Sequence, residues 1–220
     1  MSRRRVPRRF QASLSALAAA ALAAGPAFAQ TTRNNIGPQV TVGGYGAAQA
    51  CARASAERRA DAVALAACDR ALTQEPLPRP DRRATLFHRG VVRLNADDAA
   101  GALADFDAAL AIRRDGDTEL NRAAALAALG DYGSAVAAVT SALANGVREP
   151  HLAYFNRGAA REALGDLRGA LEDYTTALQI RPDWAQAEAE VGRFAQARRD
   201  RLARVLGREA PVGASASAAR

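Results

Sequence analysis

The chain has no lysine, and its 220 residues include only two histidines, two cysteines, one methionine and one tryptophan. Each scarcity removes a class of chemistry. His88 and His151 have no Cys or His at ligand spacing, so a transition-metal site has nothing to close it. Beyond residue 29 the serines are Ser55, Ser134, Ser141, Ser215 and Ser217. None of them stands in an arrangement with a base and a group to orient that base, so nucleophilic catalysis lacks its parts. There is no glycine-rich phosphate cradle. The acidic clusters Asp97-Asp98 and Asp105/Asp107 lack the spacing of a calcium loop. The remaining acids are scattered over helical faces, where surface solvation and helix capping account for them. No catalytic residue, metal or cofactor is expected.

With lysine absent, every basic residue but histidine is an arginine. In so alanine-rich a chain this reads as compositional bias, not as selection for phosphate binding. The formal net charge is +7, yet Arg3, Arg4, Arg5, Arg8 and Arg9 all fall within residues 1–29, which contain no acid. The rest therefore carries only about +2, which is no nucleic-acid footprint.

Residues 1–29 read as a leader. Five arginines precede the apolar run "LSALAAAALAAG" (Leu14 to Gly25), and "AFA" (Ala27 to Ala29) stands ahead of Gln30. A charged region, a short apolar region and a small-x-small site make a secretory signal peptide. The run is short of the ~20 residues a membrane span requires. Cleavage near Ala29 would deliver a periplasmic or secreted protein, by the general or the twin-arginine route. Residues 30–44 are expected to be a flexible leader, and the Ala/Ser/Gly/Pro-rich 207–220 a disordered tail.

Between these ends the sequence repeats itself. Ala64-Cys68-Ala71, Ala102-Phe106-Ala109, Ala135-Val139-Ala142 and Ala170-Tyr174-Ala177 share one spacing. Twelve residues before each leading alanine stand Ala52, Gly90, Ala123 and Gly158, all small. Turn signals fall at Gly130-Asp131 and Gly165-Asp166, and Pro76 and Pro182 close second helices. Asp183 is expected to cap the helix that follows. Each unit resembles the tetratricopeptide repeat (TPR) of about 34 residues, a helix–turn–helix. The best copy has Tyr154, Gly158, Ala170, Tyr174, Ala177 and Pro182 on the motif, and departs from it at Arg157 and Arg161.

The resemblance implies an all-α, right-handed solenoid over 45–206. Its repeats are expected at about 45–80, 83–115, 116–149 and 151–182, followed by a capping helix at 184–206. In the first unit "EPLPRPDRR" (75–83) should lengthen the connection. Gly192 lies in the same small column as Gly158, so the capping helix starts a fifth unit without its second helix. One unit cannot bury its apolar face alone, so stacking is obligatory.

Three sets of side chains invite a role. Cys51 and Cys68 stand on opposite helices of the first unit, in columns that should face the hairpin interior. An exported chain favours a disulfide between them, with two buried thiols as the alternative. Arg89 and Arg157 precede Asp105 and Asp173 by sixteen residues, which predicts ion pairs inside two hairpins; Arg122 faces Ala138 and needs another partner. Lastly, Ala50, His88, Asn121 and Asn156 form a column on successive first helices. In TPR proteins this column lines the concave groove, where asparagine can both donate to and accept from an extended peptide backbone. Phe87, His88, Asn121, Phe155 and Asn156 are therefore the expected peptide-binding residues, unless the polar ones merely bond to neighbouring helices.

The Lys and Arg pairs with which some TPR domains clamp acidic C-terminal carboxylates are missing, so a chaperone tail is not the expected ligand. The expected function is a non-catalytic scaffold for a protein or peptide partner. The alternatives are an envelope-assembly accessory acting through its convex face or ends, or a regulatory subunit of an enzyme.

Overall fold

A computed structural model describes residues 46–207; the signal segment, the leader and residues 208–220 of the expected tail lie outside this range. The described residues form helices α1 (Gly46–Ala56), α2 (Ala62–Gln74), α3 (Arg79–Asn95), α4 (Ala99–Ile112), α5 (Gly116–Ala128), α6 (Tyr132–Ala144), α7 (Pro150–Ala163), α8 (Leu167–Ile180) and α9 (Ala185–Val205), with no strand among them. Four antiparallel hairpins, α1–α2, α3–α4, α5–α6 and α7–α8, stack in chain order, and α9 packs on α8.

The turns inside the hairpins follow from one device. Asp61, Asp98, Asp131 and Asp166 each cap a second helix by accepting from the backbone N–H three residues on (Ala64, Gly101, Ser134, Gly169). Ahead of the cap, Gly130 and Gly165 take φ near +80°, where glycine is unstrained. In the second unit Asp97 holds that position at φ 61° instead. The Asp97-Asp98 pair is thus a turn and its cap. Asp183, by contrast, caps nothing: the position before α9 is Trp184, which makes no side-chain cap, and Asp183 lies 3.8 Å from Arg181. The first connection is also shorter than expected. Proline suits the first turn of a helix, and with Pro80 there α3 begins at Arg79, leaving Glu75 to Pro78 as the link.

Within a hairpin, packing is set by size complementarity across a sixteen-residue offset. A Cβ on Gly90 would stand 2.6 Å from the Phe106 ring, and one on Gly158 would stand 3.0 Å from the Tyr174 ring and 3.2 Å from the Ala170 carbonyl oxygen. Where the small residue is Ala123, its partner shrinks to the fully buried Val139. In the first unit the partner of Ala52 is Cys68, and the gap is closed covalently. Cys51 and Cys68 form a disulfide with their Cα atoms 4.7 Å apart.

The main apolar core runs from Phe87 to Ala187, through α3 to α9. The first unit joins through a small cluster of Cys51, Ala54, Ala64 and Cys68 against Val92.

The two expected ion pairs exist, and each is larger than a pair. Asp105, 2% exposed, accepts from Arg89 Nη2 (2.7 Å) and Nε (2.9 Å) and also from Arg93 Nη1 (2.8 Å). Asp173, 3% exposed, repeats the clasp with Arg157 Nη2 (2.8 Å) and Nε (3.0 Å) and Arg161 Nη1 (2.9 Å). Arg161 therefore leaves the repeat motif in order to complete the clasp. Arg122 reaches back to Asp107 of the preceding unit.

Removing one side of a buried, paired charge strands the other. Asp173→Ala should therefore cost about 3–5 kcal/mol in denaturant unfolding, whereas Asp107→Ala at the half-exposed pair should cost at most ~1 kcal/mol. Gly158→Ala should cost about 1–3 kcal/mol by overpacking, because one of the close neighbours is backbone and cannot move aside.

Candidate functional site: the layer of first helices

The first helices touch in succession, α1 with α3, α3 with α5, and α5 with α7, so their equivalent positions form columns across the units. The five residues expected to bind a peptide all lie in this layer, and all are buried: Phe87 (4% exposed), His88 (2%), Asn121 (2%), Phe155 (2%) and Asn156 (0%).

Their surroundings separate them. The Phe87 ring packs against Phe106, and the Phe155 ring sits between Tyr174 and Trp184, with centroids 5.1 and 4.8 Å away. Both phenylalanines belong to the core and do not stand free on a surface. Asn121 donates from Nδ2 to the Asp117 carbonyl one turn earlier (2.8 Å), so its helix answers part of its hydrogen-bonding demand. His88 and Asn156 differ: neither ring nitrogen of His88 and neither amide atom of Asn156 has a hydrogen-bond partner among the described residues. Nearly all buried polar atoms in native proteins are satisfied, so two unsatisfied side chains in one column need a reason.

Burial also sets the state of His88. Desolvation, reinforced by the positive charge of Arg83, lowers its pKa from 6.5 to about 4, so the ring is neutral near pH 7. His151 is lowered too, chiefly by burial and secondarily by opposed effects of Glu149 and Arg181. Its ring lies edge-on to Trp184 at 5.0 Å. Trp184 was not among the expected site residues, yet it closes the layer against both His151 and Phe155.

At the same end, Arg193 bridges Glu162 (2.7 Å) and Glu190 (2.6 Å), and the Tyr174 hydroxyl donates to Glu162 (3.1 Å). Burial and the Glu162 charge raise the Tyr174 pKa, which keeps it a donor. These side chains tie α9 to the last hairpin. Among the described residues no group of three or more His, Cys, Asp or Glu is placed to hold a metal ion, and no helix is long and apolar enough to cross a membrane.

With this geometry in view, comparisons with known proteins define the class. The tetratricopeptide repeat model matches residues 151–183, so the chain carries a TPR in its last hairpin. No curated protein matches the chain. Among solved structures it is similar to the first TPR domain of the human RPAP3 protein, at 26% identity and a TM-score of 0.51, over 55% of this chain and 95% of that one. It is also similar to the first TPR of Spaghetti (RPAP3) bound to the HSP90 peptide SRMEEVD, at 26% identity and a TM-score of 0.50, over 53% of this chain and 92% of that one. The fold is an all-α TPR solenoid.

A neutral buried histidine makes stability depend on pH with a definite sign. The unfolded chain takes up a proton at His88 below about pH 6.5, whereas the folded chain resists until about pH 4. Stability is therefore lost as pH falls through that window, by about 3 kcal/mol at this one site. Urea midpoints measured from pH 7 to pH 4 should show this slope, and His88→Asn, the residue found in the next two units, should flatten it.

Proposed function

We propose that the protein is an exported, non-catalytic interaction scaffold that holds a segment of a partner protein on its layer of first helices, in the concave groove of the solenoid. One observation carries the reading. His88 and Asn156 occupy equivalent positions two units apart, and both leave buried hydrogen-bonding atoms unused. A backbone amide offers a donor and an acceptor together, which such side chains, 2% and 0% exposed at rest, would meet by rotating toward the groove. The relative bound to an HSP90 peptide supports a peptide as ligand.

The chemistry here differs from that of an acidic tail. The column contains no lysine, and the buried charges flanking it are already engaged, Arg83 with Asp115 (2.7 Å) and Asp117 with Arg148 (2.8 Å). The segment held is therefore uncharged where it meets the column. It is recognised through its backbone, with the alanine-rich layer accepting apolar side chains.

The exported location rests on the signal-like sequence of residues 1–29. A second reading, assembly through the end of the solenoid, draws on the apolar side chains exposed on α8 and α9: Leu167, Leu202 and Val205.

Site-specific photo-crosslinking separates the two. A crosslinker at position 124, in the first-helix layer, should give a discrete adduct in the native compartment, and Asn121→Ala combined with Asn156→Ala should remove it. An adduct that survives the double change, or that forms only from exposed position 202 on α9, would count against groove binding.

A further inference from the structure

The fifth unit is unfinished in a specific way. Thirty-four residues beyond Gly165-Asp166, where α7 turns into α8, stand Arg199-Asp200. The capping aspartate is kept and the turn glycine is gone, so α9 runs through to Val205 with no break. The face on which a second helix would pack is left uncovered by the described residues.

Gly192 shows the vacancy most directly. Its counterparts Gly90 and Gly158 are crowded by the rings of Phe106 and Tyr174, but a Cβ on Gly192 would meet nothing within 4 Å. An exposed glycine inside a helix costs roughly 0.5–1 kcal/mol relative to alanine. Nothing among the described residues repays that cost.

Beside it, in the furrow between α8 and α9, lies an open hollow of about 870 Å³, walled by Leu167 and Leu171 of α8 and by Val191, Phe194, Ala195 and Leu202 of α9; it includes both chain neighbours of Gly192 but not Gly192 itself. Leu167 and Leu202 are about half exposed. The rim is basic. Arg168 is paired with Glu172, but Arg198, Arg201 and Arg204 have no acidic partner among the described residues. Residues 208–220 do not match this slot, since they contain no aromatic residue, one acid and an internal proline.

We infer that the α8–α9 end is a docking slot for one amphipathic, acidic helix of a partner protein, which completes the fifth unit in trans. Its apolar face places a large ring against Gly192, as Tyr174 does against Gly158, with a small residue four before and three after the ring. Its acidic flank meets Arg198 and Arg201. The slot does not use His88, Asn121 or Asn156, so it stands or falls separately from the groove reading.

A hydrocarbon-stapled peptide with the α8 sequence (residues 167–180), carrying Glu in place of Arg168, is a defined probe, because it has Tyr174 flanked by Ala170 and Ala177. Fluorescence anisotropy with the full chain should show binding in roughly the micromolar range. Gly192→Leu should weaken it at least about tenfold, and Arg198→Glu with Arg201→Glu should weaken it severalfold and remove most of its salt dependence.

Gly192→Ala should raise the melting temperature of the chain while weakening the probe, a pair of opposite effects that a purely structural glycine would not give. Failure of the stapled probe to bind at about 1 mM, or equal binding by Gly192→Leu, overturns the slot. Sedimentation showing a dimer that Gly192→Leu dissolves would give the surface to a second copy and also overturn it.

Discussion

The close approach of two helices within each hairpin is the constraint on which the rest depends. Gly90 under Phe106 and Gly158 under Tyr174 bring backbones near enough for one ring to fill the whole gap. That distance fixes where the arginines one residue before each glycine emerge. Only at such an approach can Arg89 and Arg157 reach both oxygens of an aspartate on the facing helix. The clasp then costs little extra ordering, because each guanidinium leaves a helix already held by packing. Its second arms, Arg93 and Arg161, come from one turn further along the same face.

Much of this was legible beforehand, for a physical reason. Packing against a copy of itself forces a solenoid to repeat its steric solution, so small and large residues recur at one offset and show in the sequence. The Gly-Asp turns and two of the Arg–Asp pairs were readable in the same way. The Cys51–Cys68 contact followed from their positions on opposite helices.

What was not legible depended on atoms that sequence spacing does not locate. Asn121 and Asn156 look identical in the column, yet one spends its amide on a carbonyl of its own helix and the other finds no partner among the described residues. The second arm from Arg93 was not foreseen, because Asp105 was already assigned to Arg89. Arg122 pairs backward into the preceding unit, against the direction in which partners were sought. The phenylalanines beside the polar column were read as ligand-facing, but each packs on the ring of its own hairpin's second helix, Phe87 on Phe106 and Phe155 on Tyr174. Trp184 adds a further ring to Phe155 and lies past the last full repeat, where periodicity no longer guides the reading.

The disulfide has a consequence for the array as a whole. A solenoid behaves as a one-dimensional chain of units, each held by its own stability and by coupling to its neighbours, so unravelling starts at the end whose terminal unit is weaker. The amino-terminal unit lacks the interior ring of Phe106 or Tyr174 but has a covalent bond between its two helices. The carboxyl-terminal end has a lone helix with one fully covered residue, Ala187. Thermal fraying therefore begins at α9 and travels inward, and under reducing conditions a second front opens from α1. The disulfide thus decides whether the array opens from one end or from both.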